Sequence, residues 1–301
     1  MQKISNHKWE KLGLILKPNK DIPWCVSHTG SPYLQKENNK LVLYFTGRDK
    51  DNRSRIGKCE LVLGDKPYIK NISKKPIVPL GQPGTFNEDG TSYPCLFNDQ
   101  LYFTGWKKTT NVPFENNLGL AIKKGKKFRL YSRAPIFELS HTEPFGVGSV
   151  DIMKDTLYHC WYTAFTSWGT SKKIKHKYKI KYAYSIDGKK WRRRTGDCID
   201  FEKGEYAICR PSVIYYNKMS NVKILRLNNC SNNPKIKQDT DKSGFKYVLD
   251  QDLVNNGRCL VEVISGWSQI TQQTLTNGNV SATTRIVPNN IPQLVIRSNI
   301  L

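Results

Sequence analysis

Residues 41–61, LVLYFTGRDKDNRSRIGKCEL, carry the pattern that decides the fold. The apolar run LVLYF, the polar turn DKDN and the alternating RIGKCEL spell two short strands joined as a hairpin. The core YFTG returns letter for letter at residues 102–105 in LYFTGWKKTTNVPFENNLGLAI, and a third version, WYTA, stands at 161–164 in TLYHCWYTAF. Tyr44, Tyr102 and Trp161 are therefore 58 and 59 residues apart. A second element follows each copy, RIGKC at 55–59, NLGLA at 117–121 and KIKYA at 179–183, with steps of 62 and 62 between Ile56, Leu118 and Ile180. Two different strand signatures keep one phase, which chance does not produce.

A repeat of about 60 residues built from short alternating strands and Gly-containing turns predicts propeller blades. A single four-stranded blade cannot bury both faces, whereas radial stacking gives each face a neighbour. The 301-residue length divided by that period predicts an all-β, five-bladed propeller of four-stranded antiparallel blades. Each blade opens into an inner strand: HTGSPYL (28–34), DGTSYPCLF (89–97), GVGSVDIM (146–153) and ICRPSVI (208–214). Inner strands line the central channel, so function is sought at these openings. The chain reads as a single domain, 1–301, with blades over 9–215 and a divergent C-terminal part over 216–301, where SNVKILRLNNCSNNPKIKQDTDKSG and SQITQQTLTNGNVSATTRI lack aromatic strand cores.

Composition limits the partners. The chain holds 48 Lys plus Arg against 25 Asp plus Glu, a net charge of +23, which favours an anionic partner. The basic residues are scattered, and in KIKHKYKIKYAYS they alternate with Ile, Tyr and Ala as on the solvated face of a half-exposed strand. Nucleic acid is accordingly the weaker expectation, behind nucleotide sugars, acidic glycans and peripheral contact with anionic lipid. No apolar run reaches the roughly 20 residues of a membrane helix, and MQKISNHKWEKLG lacks a secretory apolar region, so a cytoplasmic location is expected. The eight cysteines stand singly, with no C-x-x-C pair and no His at metal-ligand spacing; no metal and no cofactor are expected.

The stretches YFTGRDKDNRSRIG, GTFNEDGTSYP, YKIKYAYSIDGKKW and EYAICRPSVI together resemble the five-bladed propellers related to glycoside hydrolase families 32, 43, 68 and 130, above all the family 32-like propeller proteins of bacterial polysaccharide gene clusters. Ser185-Ile186-Asp187-Gly188-Lys189-Lys190-Trp191 is similar to the S-x-D-G-x-x-W turn of their blades. The resemblance implies a carbohydrate-active protein, glycosidase-like or glycosyl-transferring, acting in bacterial surface polysaccharide metabolism. Hydrolysing members need two carboxyl groups flanking the scissile bond, placed at blade openings as Asp-Pro. Here the matching dipeptides are Ser31-Pro32, Tyr93-Pro94 and Arg210-Pro211, without the Asp. That departure keeps a non-catalytic sugar-binding propeller as the alternative and a basic nucleic-acid-binding propeller as a third.

Catalytic candidates are Glu88, Asp89 and Glu143, carboxyls just before inner strands, and His28 at the first opening. Asp89-Gly90 reads equally as a plain turn, Glu143-Pro144 as the start of a loop, and His28 as a structural hydrogen-bonder. Substrate-binding candidates are Arg48, Asp49, Arg210 and Glu205, with Trp106 and Trp168 as sugar platforms. Arg48-Asp49 has a second reading as a pair locking one blade to the next, and the tryptophans have one as core packing. Trp191 is assigned to structure.

Overall fold

The computed structural model describes residues 9–64, 66–171, 173–198, 201, 205–215, 224–231, 245–248, 260–266 and 293–299. Among them every regular element is a strand, and no helix long and apolar enough to cross a membrane occurs. The chain divides into two compact units, Val78–Val248 and Gln2–Ile77 with Leu249–Leu301. Of the divergent region beyond residue 215, the strands named below are described and the remainder lies outside the described residues.

The unit holding the N-terminus contains an antiparallel meander of β2 (His28–Glu37), β3 (Lys40–Arg48), β4 (Ser54–Val62) and β5 (Tyr68–Lys70), preceded by β1 (Trp9–Leu16). The second unit holds three more meanders in chain order. They are β6 (Gly90–Phe97), β7 (Gln100–Lys107), β8 (Glu115–Lys124) and β9 (Lys127–Leu130); then β10 (Val147–Lys154), β11 (Tyr158–Thr170), β12 (Lys173–Ser185) and β13 (Arg192–Arg193); then β14 (Glu205–Tyr215), β15 (Ile224–Ser231) and β16 (Phe245–Val248). Back in the first unit, β17 (Leu260–Gly266) pairs with β18 (Gln293–Asn299), and β18 pairs antiparallel with β1, so the first strand of the chain completes a sheet begun by its last two. Within the second unit the inner strand β10 packs beside both β6 and β14.

The sequence repeat is one recurring cross-strand pair. Thr46 faces Ile56, Thr104 faces Leu118 and Thr163 faces Ile180, so the two sequence signatures are the two sides of one ladder rung. Tyr44, Tyr102 and Trp161 sit two positions before those threonines in the second strand of each meander, and all three are fully buried. Burying such side chains stabilises by roughly 1.5–3 kcal/mol each and sets the register, since a one-residue slip turns the whole set outward.

A second repeated device covers each meander. Phe45 faces Gly57, and the Trp24 ring lies where a side chain on Gly57 would stand, 2.0 Å from an ideal Cβ. Phe86 covers Gly119 opposite Phe103 in the same way. Trp24 anchors by donating from its indole N–H to the Ser73 carbonyl at 3.2 Å, and it packs with Leu43, Phe45, Cys59 and Leu61. In the third meander the corresponding place, opposite Tyr162, is Lys181, and Glu143 covers it with an ion pair at 3.2 Å. An aromatic lid on glycine has become a carboxylate lid on lysine.

The turn 185–191 forms as the resemblance implies. The amides of Lys189 and Lys190 donate to Asp187 Oδ1 at 2.8 and 2.9 Å, the Gly188 amide donates to Ser185 Oγ, and Gly188 takes φ 71°, a left-handed conformation suited to glycine. The Tyr102 hydroxyl reaches the Gly188 carbonyl at 2.9 Å and Trp191 meets the Tyr102 ring edge-on, tying one meander to the next. Trp161 is mid-strand and wholly buried, because β11 runs on for 13 residues.

Gly57→Ala drives a methyl into the Trp24 ring and is expected to cost about 1–3 kcal/mol, whereas Gly64→Ala, which meets nothing within 4 Å, is expected to stay within about 0.5 kcal/mol of the parent. Urea unfolding midpoints of the two variants check this.

Candidate functional site

Each inner strand is interrupted at the same phase. The register with the next strand slips between Gly30 and Tyr33 in β2, Ser92 and Cys95 in β6, Val147 and Val150 in β10, and Cys209 and Ser212 in β14. The residues at three of these bulges are the X of the X-Pro pairs, and all are left-handed: Ser31 at φ 49°, Tyr93 at φ 50° and Arg210 at φ 57°. A non-glycine residue held there costs roughly 1–2 kcal/mol, and bulges of this kind re-aim side chains beside functional sites.

In the Val78–Val248 unit the bulges of β6 and β14 meet. The Arg210 guanidinium lies over the Tyr93 ring, 5.5 Å from its centroid. The Arg210 amide donates to Thr163 Oγ1 at 3.2 Å, and Thr163 Oγ1 is 3.1 Å from Ser149 Oγ in the β10 bulge. Gly148, beside Ser149, is buried against β11: an ideal Cβ there would stand 3.3 Å from Thr163 and 3.5 Å from Phe165, so these side chains pack close over it. Phe165 in turn stacks on Trp168 at 5.3 Å. Beyond the buried Thr163 and Phe165, β11 reaches an open groove of about 390 Å³ lined by Phe114, Phe145, Trp168, Glu115, Asn111 and Thr109. Phe114 meets Trp168 edge-on at 5.1 Å. Glu115 accepts from Asn117 Nδ2 at 2.9 Å and pairs with Lys107 at 3.5 Å. Behind Trp168, His176 stacks on Tyr178 at 5.1 Å, and burial lowers its pKa.

Trp168 and Arg210, both expected from sequence to bind substrate, are thus linked through Thr163, Gly148 and Phe165. The other expected residues sit elsewhere. Glu88 accepts from the Gly84 amide at 2.6 Å, and Asp89 accepts from the Lys108 amide at 2.7 Å with the Lys108 ammonium 3.7 Å away, so both fasten the loop before β6. Trp106 is half-buried near the end of β7, opposite Gly90 and Asn116, and does not line the groove. Glu143 is buried; it accepts from the Tyr162 hydroxyl at 3.0 Å, from Arg193 Nε at 2.9 Å and from Lys181. Because Tyr162 and Thr163 are adjacent in β11, Glu143 and the Arg210 contact fall on opposite faces of that strand. Glu205 opens β14, and its side chain lies outside the described residues.

In the other unit, His28 pairs across the ladder with Arg48, and its Nδ1 is 2.9 Å from Ser27 Oγ. Burial first, and the Arg48 charge second, lower the His28 pKa. Arg48 donates to Asn52 Oδ1 at 2.8 Å. Asp49 is the node of its hairpin, accepting from the amides of Asp51 and Arg53 and from the guanidinium groups of Arg53 and Arg55 at 3.1 Å each.

Sequence reasoning passed over Tyr93, Phe114, Phe145, Glu115 and Asp151. Asp151, opposite Trp161 in β10, is a buried carboxyl on the Thr163 side of β11; it accepts from the Ile152 amide and from the Cys95 thiol at 3.6 Å. Burial, then the Asp151 charge, push the Cys95 thiol well above its ordinary pKa. Among the described residues no cluster of His, Cys, Asp and Glu is large enough to hold a metal ion.

Glu143→Gln leaves Lys181 and Arg193 without their carboxylate. Both keep some solvent contact, so the loss is expected at the lower end of the range for a broken buried pair, roughly 3 kcal/mol. Chemical denaturation reads that loss, and ligand affinity in the groove is expected to stay within twofold of the parent, as calorimetric titration would record.

No protein-family model matches the chain. The uncharacterized proteins Rv1502 and MT1551 of two Mycobacterium tuberculosis strains are each 34% identical to it over 217 residues, covering 68% of this chain and 71% of theirs. Among solved structures, a glycoside hydrolase superposes with a TM-score of 0.60 at 13% identity, over 96% of this chain and 90% of its own. The Bombyx mori GH32 beta-fructofuranosidase BmSUC1 gives 0.53 at 13%, over 79% and 47%, and a thermostable family-43 glycoside hydrolase gives 0.51 at 14%, over 75% and 72%. The fold is that of the propellers related to the glycoside hydrolases, and by sequence this chain belongs to the family of Rv1502 and MT1551.

Proposed function

We propose that this protein is a carbohydrate-active propeller protein that takes a sugar or an activated sugar into the groove beside Trp168 and serves bacterial surface polysaccharide metabolism. The observation that carries the proposal is the lining of that groove. Phe114, Phe145 and Trp168 offer ring faces to the C–H surfaces of a sugar, while Asn111, Thr109 and Glu115 offer hydrogen-bonding groups at its edge. A volume of about 390 Å³ falls within the range of small-molecule sites. The repeat spacing and the pairing of β1 with β18 support five blades, the last completed by the N-terminal strand.

Action on a glycosidic bond requires two carboxyl groups, about 5–9.5 Å apart, with the sugar between them. Among the described residues that line the groove, Glu115 is the carboxyl, and this reading assigns it one of the two roles. A second reading, a sugar-binding protein without turnover, is favoured by two observations. The bulge positions carry Ser31, Tyr93 and Arg210 in place of carboxylates, and Asp151 is buried against the Cys95 thiol.

Trp168→Ala is expected to weaken oligosaccharide binding at least tenfold, equivalent to about 1.4 kcal/mol, and to lower Tm by no more than a few degrees, because Trp168 is only half-buried. Calorimetric titration of an oligosaccharide panel checks the first and a thermal melt the second. Assaying the same mixtures for new reducing ends separates the two readings: release abolished by Glu115→Gln supports turnover, and its absence with binding intact supports recognition alone. Unchanged affinity in the Trp168 variant would remove the groove from the account.

A further inference from the structure

We infer that Arg210, seated on Tyr93 where the β6 and β14 bulges meet, is an oxyanion subsite, so that the sugar this protein takes carries a carboxylate or a phosphate. The inference rests on the proposed sugar-binding role and names the class of sugar. Four observations carry it. Arg210 is half-buried, and among the described residues no Asp or Glu pairs with it. A partly desolvated cation without a carboxylate is costly in a chain already at net charge +23. Its backbone is held left-handed before Pro211, with the amide tied to Thr163 Oγ1, so the direction in which the side chain leaves the strand is fixed by the bulge. The guanidinium then lies over the Tyr93 ring, which is itself presented by a left-handed bulge residue 117 positions earlier.

A guanidinium seated on a ring uses one of its planar faces for that contact. Its N–H groups project from the edges of the plane, where they match the two oxygens of a carboxylate or a phosphate. Lysine offers no such fork, and a guanidinium with its own protein carboxylate has its fork already filled. Thr163 and Ser149 place hydroxyl groups beside the Arg210 backbone.

The test is calorimetric titration of the intact protein with a glucuronate-containing disaccharide, the matched neutral glucose disaccharide, glucose 1-phosphate and glucose. Each is run at low and at high salt. At least tenfold tighter binding of an acidic member over its neutral match is expected, with that preference shrinking as salt rises. The uronate and phosphate arms identify which oxyanion the fork prefers. Arg210→Gln is expected to erase the preference for the acidic sugar, and Arg210→Lys to restore only part of it. Equal affinity for acidic and neutral sugars in the parent protein overturns the inference and leaves the sugar-binding role standing. That comparison needs no variant, so a poorly folding Arg210→Gln cannot obscure it. Failure of all four sugars to bind overturns both.

Discussion

A β-strand presents successive side chains to opposite faces, so two residues set against one on the partner strand turn a side chain out of that alternation. The inner strands of four meanders share this fault at one phase. The site in the Val78–Val248 unit follows from it. Without the slip at Tyr93-Pro94, the Tyr93 ring would stay in its strand's alternating order; without the one at Arg210-Pro211, the guanidinium would not stand over it. The β10 bulge supplies the third part, a glycine against which Thr163 and Phe165 pack and a serine whose hydroxyl meets that of Thr163. The regular pairing around the bulges meets the strain of the left-handed residues. Thr163 shows the coupling: one side of it is in the ladder against Ile180, and its hydroxyl accepts from the Arg210 amide.

Much of the fold was legible in the sequence, because a repeated register leaves a repeated spelling. YFTG and RIGKC are the two sides of one rung, and the polar alternation of KIKHKYKIKYAYS is the half-exposed strand β12. The turn at 185–191 could be read because Asp and Gly make it by local bonds alone. The site was legible only in part. Three X-Pro pairs stand at the bulges, and Arg210 was singled out by its place at a blade opening, but a repeat cannot say that Arg210 and Tyr93 meet. Glu143 shows the limit from the other side. As a spelling it is a carboxyl before an inner strand; in space it replaces the aromatic lids Trp24 and Phe86, and its partners Lys181 and Arg193 lie 38 and 50 residues away. Glu88, Asp89 and Asp49 likewise bind loop amides or nearby cations, which composition does not distinguish from catalysis.

The charge has a comparable division of labour. On β12, Lys179 pairs with Asp197 at 2.6 Å and Lys181 with Glu143, so part of the basic stripe is neutralised within the fold. The Lys179–Asp197 pair, at a half-exposed position, contributes little to stability, about 0–1 kcal/mol, and both pairs leave the general positive field in place. A diffuse field of this kind draws anions in without choosing among them. Choice requires a fixed donor array, which is what the bulge geometry gives Arg210.

The central claim is that a sugar is recognised in the groove beside Trp168, and the indole N–H spectrum of the protein tests it most directly. The seven tryptophans divide by environment: Trp161 has no exposed surface and Trp24 donates to the Ser73 carbonyl, while Trp168 lines an open groove. On titration with an acidic oligosaccharide, the account predicts that the Trp168 resonance shifts in a saturable way while those of Trp24 and Trp161 stay fixed. Saturable binding with the Trp168 resonance unmoved would contradict it.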